Sequence, residues 1–195
     1  MAHRFAALVL CLALLPIGAY AGAMETDGTP AAQGLEESLA PVSRGEVLLL
    51  LWRSAGAVPY DKTAHPFTDL AGRDDLAQAA GWAWDAGLVK GVGDGLYAPD
   101  RPMTREELAT LLRRNDALLG RDTWLPDGAA LCNDYADISP WADDSLYWAC
   151  IMGRMAWRNC RLAPLEYATC AEAEALFPPL YGSEMEYPEA RSAGQ

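Results

Sequence analysis

The feature that most constrains this chain is an internal repeat. From Phe67 to Arg114 the sequence passes through an aromatic-x-Asp start (Phe67-Thr68-Asp69), Trp82-Ala83, Gly87, a glycine-rich run (Gly91-Val92-Gly93-Asp94-Gly95), Leu96-Tyr97-Ala98-Pro99 and Thr104-Arg105-Glu106-Glu107. The same pieces return in the same order as Tyr135-Ala136-Asp137, Trp148-Ala149, Gly153, Leu162-Ala163-Pro164 and Thr169-Cys170-Ala171-Glu172. Upstream only a second half is visible, Pro41-Val42-Ser43-Arg44-Gly45-Glu46 followed by the apolar run Val47 to Trp52. A unit this small cannot bury its apolar face alone, so the copies must pack on one another.

Local chemistry then prescribes helices. Ser43, Thr104 and Thr169 each stand three residues before Glu46, Glu107 and Glu172. That is the spacing at which a hydroxyl and a carboxylate satisfy each other's orphan amides at a helix start. After Thr104, Leu108, Leu111, Leu112, Leu118 and Leu119 fall on one helical face, and Gly120 offers a stop. A second helix is expected before each turn, near Asp75 to Gly87 and near Trp141 to Gly153, each ending in a glycine suited to a left-handed cap. Gly91, Gly93 and Gly95 permit a compact turn between Val89 and Pro99. The expected fold is all-α: short helix pairs joined by glycine-rich turns. Trp82, Trp84, Trp141 and Trp148 are expected in the core rather than on a ligand. Residues 24–38 have no apolar period and read as a flexible lead, and 182–195 as a loose acidic tail.

The amino terminus sets the compartment. His3 and Arg4 precede an apolar run, Phe5 to Ile17, too short to cross a bilayer, with small residues at 19–23. This is the pattern of a signal peptide over 1–23, with a mature start near Met24. Cys11 lacks the small residues that would precede a lipidated cysteine. No second stretch is apolar enough to span a membrane, so a secreted product is expected.

The formal net charge is −12, with only two lysines, Lys62 and Lys90. Such a balance repels phosphate backbones and argues against nucleic acid; an anionic ligand would need a local basic pocket. Four cysteines follow the leader, Cys132, Cys150, Cys160 and Cys170. An even number in an exported chain suggests two disulfides. Three pairings are open; Cys160 with Cys170 would close the loop between turn and helix, leaving Cys132 with Cys150. No zinc spacing, cofactor motif or Ser/His/Asp set is present, and His65 is the only histidine after the leader. Asp94 and Asp100 fall far short of the oxygens that calcium takes. No metal, no cofactor and no catalytic activity are expected.

Taken together, Phe67-Thr68-Asp69, Gly87-Leu88-Val89-Lys90-Gly91, Asp94-Gly95-x-Tyr97-x-Pro99 and Thr104-Arg105-Glu106-Glu107 resemble the S-layer homology repeat, with Glu106 where that family's Thr-Arg-Ala-Glu signature has alanine. The resemblance implies a partial repeat over 39–60 (second half only), a complete one over 67–120 and a degenerate one over 135–181. It also implies a truncated pseudo-trefoil helical bundle. In that bundle helix 43–54 pairs with 75–87 and helix 104–118 with 141–152, while the helix from Thr169 lacks a complete partner.

Members of the family hold proteins noncovalently to secondary cell-wall polysaccharides, often ones with acidic pyruvyl ketals. That implies a bacterial cell-surface location and ligand-binding roles for Arg44 and Arg105, with Ser43, Thr104, Glu46, Glu107, Gly91 and Gly93 around them. An arginine at the first helical position sits beside the positive end of the helix and can grip a carboxylate with two hydrogen bonds. Cys170 replaces that arginine in the last copy, so at most two grooves are expected, with the one at Arg105 favoured. The alternative is a secreted protein-interaction or structural module that keeps the scaffold without polysaccharide binding and takes a secreted protein partner.

Overall fold

The three segments just before the capped helices meet in a closed ring of backbone hydrogen bonds. The Val42 N–H donates to the Ala168 carbonyl, Ala168 N–H to Met103, and Met103 N–H to Val42, each at 2.9 Å. The computed structural model describes residues 30–125 and 132–178. The leader, the start of the lead and the tail beyond 181 lie outside the described residues.

Six α-helices are described: α1 (Pro30–Leu39), α2 (Arg44–Ser54), α3 (Asp74–Asp85), α4 (Arg105–Leu118), α5 (Ser145–Ile151) and α6 (Cys170–Leu176), with a 3-10 turn at Tyr135–Asp137. Among the described residues there is no sheet, only isolated bridges such as Ser43 to Pro102 and Thr104 to Tyr167. The fold is therefore helical, as the sequence pattern demands. Ser43, Thr104 and Thr169 each complete a capping box with Glu46, Glu107 and Glu172. Three helix starts are thus fixed by one local mechanism.

The helices pack in pairs, α2 on α3, α4 on α5 and α6 on α1. Two sequence expectations change here. The flexible lead expected at 24–38 is helical from Pro30, and the last helix, expected to lack a full partner, packs on it. Proline is at home in a first helical turn, and the Ala, Gln, Glu and Leu residues that follow are good helix formers. Helix α5 is shorter than expected, since Trp141 lies in the turn before it.

The aromatic-x-Asp alignment of the last copy also shifts. Both carboxylate oxygens of Asp69 accept backbone amides at the turn, Tyr97 N–H at 2.9 Å and Ala98 N–H at 2.7 Å. In the last copy Asp134, not Asp137, does this, accepting from Leu162 at 3.1 Å and Ala163 at 2.8 Å. The sequence separations, 28 and 29 residues, are identical in the two copies. Cys132 thus occupies the place of Phe67, whose ring packs on Tyr97 and Trp84.

The core is continuous across the pairs, with Leu48, Leu51, Leu70, Leu108, Leu112, Leu146, Trp148 and Leu162 all essentially buried. Trp82 also lies in it, whereas Trp84 and Trp141 are exposed at 39% and 55%. Half of the tryptophan expectation is corrected.

The disulfide expectation is overturned. Cys132, Cys150, Cys160 and Cys170 are all free thiols. Cys150 is enclosed in the core on α5, Cys160 is exposed on the last copy's turn, and Cys170 opens α6. Their even number carries no geometric information.

Candidate functional site

Arg44 and Arg105 open α2 and α4, and each reaches across to the next copy. The Arg44 Nε donates to the Tyr97 carbonyl at 3.0 Å and Nη1 to Glu107 Oε1 at 3.1 Å, with the guanidinium 4.9 Å from the centre of the Tyr97 ring. Arg105 repeats the pattern: Nε to the Leu162 carbonyl at 2.9 Å, Nη1 to Glu172, and Nη2 to the Ala156 carbonyl at 2.6 Å. Both side chains are enclosed, Arg44 at 8% exposure and Arg105 at 0%. Burial pulls the Arg105 pKa down, opposed by the Glu172 carboxylate, yet an arginine in a protein stays charged. Each arginine is thus a link from one copy to the capping carboxylate of the next.

Cys170 holds the equivalent position in α6, so no such link reaches Glu46 from there. The amides beside these arginines are not free either. Arg44 N–H donates to the Arg101 carbonyl, Gly45 to Pro99, Arg105 to Glu166, Glu106 to Pro164 and Cys170 to Ala40. The bare helix amides on which a terminal anion site depends are occupied by neighbouring copies. Glu106, the residue standing in the family's alanine position, has its own task. Its buried carboxylate accepts from Ser139 N at 2.9 Å and Ser139 Oγ at 2.8 Å.

Outside this framework lies a groove of about 580 Å³ between the glycine-rich turn, α4 and Trp141. Its lining includes Arg44, Lys90, Gly91, Tyr97, Arg101, Glu107, Arg114 and Trp141. Four cationic side chains thus face one acidic one, in a chain of net charge −12. Glu107 is already engaged by Arg44 and by Arg101, the latter at 2.5 Å. Arg114 donates to the Leu88 carbonyl at 3.1 Å, and burial lowers its pKa. Lys90 is exposed, and the Arg101 side chain is 43% exposed. Tyr97 is fully buried; burial pushes its phenol up to about 12, so it is neutral and donates to the Arg44 carbonyl at 3.1 Å. Gly91 forms the groove floor at φ +74°, where an added Cβ would come within 2.5 Å of the Leu96 carbonyl oxygen and 2.6 Å of the Phe67 ring. No side chain can replace it without displacing that wall.

Of the sequence candidates, Arg44, Glu107 and Gly91 line this groove. Ser43 and Thr104 act as helix caps, Glu46 caps α2, Gly93 sits at the turn tip at φ +109°, and Arg105 is enclosed. At the corresponding turn of the last copy Arg158 lies in the place of Gly93. Its guanidinium holds Glu166 at 2.8 Å and Glu172 at 2.7 Å, and it donates to the Tyr167 carbonyl at 3.0 Å. Glu172 is therefore held by two arginines. Sequence reasoning missed Lys90, Arg101, Arg114 and Trp141 as groove residues. The available signal was that Lys90 and Arg101 flank the glycine-rich turn of the complete copy.

A family model, the S-layer homology domain, matches residues 66–109. The chain carries an S-layer homology domain. That domain spans the turn, Asp69, Tyr97 and the start of α4, and so contributes most of the groove. The chain is also 30% identical over 115 residues to an endoglucanase of Bacillus sp. (strain KSM-635), a stretch that covers 58% of this chain and 12% of the endoglucanase. The chain therefore spans about an eighth of the length of that relative. Among the described residues no helix is long and apolar enough to cross a membrane, and no group of three or more His, Cys, Asp or Glu residues gathers as a metal would require.

Proposed function

We propose that this protein attaches noncovalently to the bacterial cell wall by binding an acidic secondary polysaccharide, and that the groove beside Trp141 receives the acidic sugar. The carrying observation is the local reversal of charge: Arg44, Lys90, Arg101 and Arg114 line one cavity of a strongly acidic chain, with Glu107 already neutralised. Such a pocket concentrates an anion against the field of the rest of the molecule. A carboxylate, as in a pyruvyl ketal, suits guanidinium forks, and Trp141 offers an aromatic wall for a sugar ring.

The division of labour differs from the one expected of the Thr-Arg pair. Arg44 is the back wall, committed to Tyr97 and Glu107, so the direct contacts fall to Lys90, Arg101 and Arg114. The Arg105 position, enclosed beside the Arg158 cluster, acts as a structural link, so this reading assigns the acidic sugar to the groove at Arg44 alone. The backbone ring and the three helix pairs support reading the scaffold as a pseudo-trefoil of three copies, in which α1 supplies the half that the first copy lacks. The role is binding after secretion, with no catalysis of its own. We read the stretch shared with the endoglucanase as an attachment module rather than its catalytic part.

Titration calorimetry with a pyruvyl-ketal monosaccharide glycoside tests this. Lys90→Ala/Arg101→Ala is expected to weaken binding by roughly tenfold or more, as loss of two charge-assisted contacts implies, and added salt is expected to weaken it further. Equal binding of the ketal-free sugar, or unchanged binding by the double variant, would overturn the proposal.

A further inference from the structure

At the position of Glu106 the other two copies carry Gly45 and Ala171. A carboxylate as enclosed as that of Glu106, at 2% exposure, is costly unless its oxygens are hydrogen-bonded. Ser139 supplies both bonds, its N–H to Oε2 at 2.9 Å and its hydroxyl to Oε1 at 2.8 Å. The carboxylate on α4 therefore holds one residue of the loop that leads into α5.

That residue opens a tight turn. The Ser139 carbonyl accepts the Ala142 N–H at 2.9 Å, which leaves Pro140 and Trp141 as the central pair. Both ends of Ser139 are thus fixed, one by Glu106 and one by the turn itself. The Trp141 side chain lines the groove yet is 55% exposed, so the core gives it little support and its place follows from the turn that carries it. The α2–α3 pair has neither feature. Its turn before α3, closed by the Arg73 N–H to the Leu70 carbonyl at 3.1 Å, contains no aromatic residue, and α2 has Gly45 in place of the glutamate. Carboxylate and indole occur together in the α4–α5 pair.

We infer that Glu106 is a positioning residue of the groove: by holding Ser139 it fixes the Ser139–Ala142 turn, and with it the indole of Trp141 as a preformed wall for the sugar ring. The inference rests on the reading above and deepens it. Glu106 touches no ligand; it spares the complex the cost of ordering the turn at the moment of binding.

Calorimetry on the chain without its leader, with the pyruvyl-ketal monosaccharide glycoside as probe, tests this. Glu106→Ala frees the turn, and reordering it on binding is expected to weaken affinity about fivefold. Glu106→Gln, whose amide can accept from the Ser139 N–H and donate to its hydroxyl, should bind within about twofold of the parent. Trp141→Ala should weaken binding on its own, and adding Glu106→Ala to it should change nothing further, because the residue being positioned is gone. A purely structural role would lower the Tm of Glu106→Ala without that dependence on Trp141. Should Glu106→Ala not fold, Ser139→Ala takes its place, with a loss of about threefold that must likewise vanish beside Trp141→Ala. Unchanged affinity in Glu106→Ala, losses that multiply in the double variant, or a glutamine variant as weak as the alanine one would each overturn the inference and leave the wall-binding reading to Lys90→Ala/Arg101→Ala. If the parent does not bind the probe, both fail.

Discussion

Replacing Asp134 by alanine should cost far more stability than replacing Asp137, although Asp137 is the better local match to an aromatic-x-Asp motif. The Asp134 carboxylate is buried and accepts two backbone amides, Leu162 and Ala163, at 3.1 and 2.8 Å. Hydrogen bonds to a charged group contribute about 1.5–3 kcal/mol each. With some of that recovered by water reaching the freed amides, a loss of about 3 kcal/mol is expected, or a fall in Tm of about 6–12 °C for a domain of this size. Asp137 is exposed, so its alanine variant should stay within about 0.5 kcal/mol of the parent.

A pH dependence follows. Burial works against the ionised form of Asp134, but the amides of Ala163 and Leu162, with Arg161 close by, outweigh it and hold its pKa below the ordinary 3.8. A folded pKa below the unfolded one gives stability that is complete above the unfolded value and is lost as pH falls through the folded one. The gap between parent and Asp134→Ala should therefore be full at neutral pH and shrink only below about pH 4. Urea denaturation across pH 3–7 measures it. Equal losses for the two variants, or a gap that widens on acidification, would refute the assignment of Asp134 as the counterpart of Asp69.

Other consequences are as direct. Arg105→Ala removes three donors from a fully enclosed site and leaves the Leu162 and Ala156 carbonyls without that partner, while Glu172 keeps Arg158, so denaturation should report a loss of about 2–4 kcal/mol, and lysine, lacking the fork, should not restore it. Gly81→Ala would normally favour a helix by about 1 kcal/mol. Here the added Cβ would meet the Asp61 carbonyl oxygen at 2.5 Å and the Tyr60 ring at 3.0 Å, so calorimetric unfolding should show a lower Tm. Without reductant, a thiol reagent at pH 8 should label exposed Cys160 first. Cys150, whose pKa burial pushes up to about 11, should react only on unfolding, as mass spectrometry of the peptides would show.

Much of the scaffold is legible in the sequence because it is written locally. The three capping boxes need only residues three apart, and the glycine stops at 87, 120 and 153 all take positive φ. What was not legible depends on contacts between copies. Nothing in Thr-Arg or Ser-Arg says that the first helical amides will be taken by Glu166 or Arg101 carbonyls, or that the guanidinium will turn inward to the next copy's glutamate. On the proposed reading those contacts leave Arg44 as the back wall of the groove and give the direct ligand contacts to Lys90, Arg101 and Arg114.

The Asp134 register could have been read. Its distance to Leu162-Ala163 repeats that from Asp69 to Tyr97-Ala98, a constraint across the whole copy that a local tripeptide match overrode. Helix α1 carries no apolar period; its signals in the sequence are the proline start and the helix-forming composition. The cysteines misled because pairing is a matter of position, not of number.

The most direct test of the central claim is cosedimentation of the mature protein with peptidoglycan sacculi, before and after the acid treatment that strips secondary polysaccharide, alongside the Lys90→Ala/Arg101→Ala variant. The account predicts that the parent pellets with untreated sacculi only and that the variant remains in solution. Equal pelleting of parent and variant, or binding that survives stripping, would contradict it.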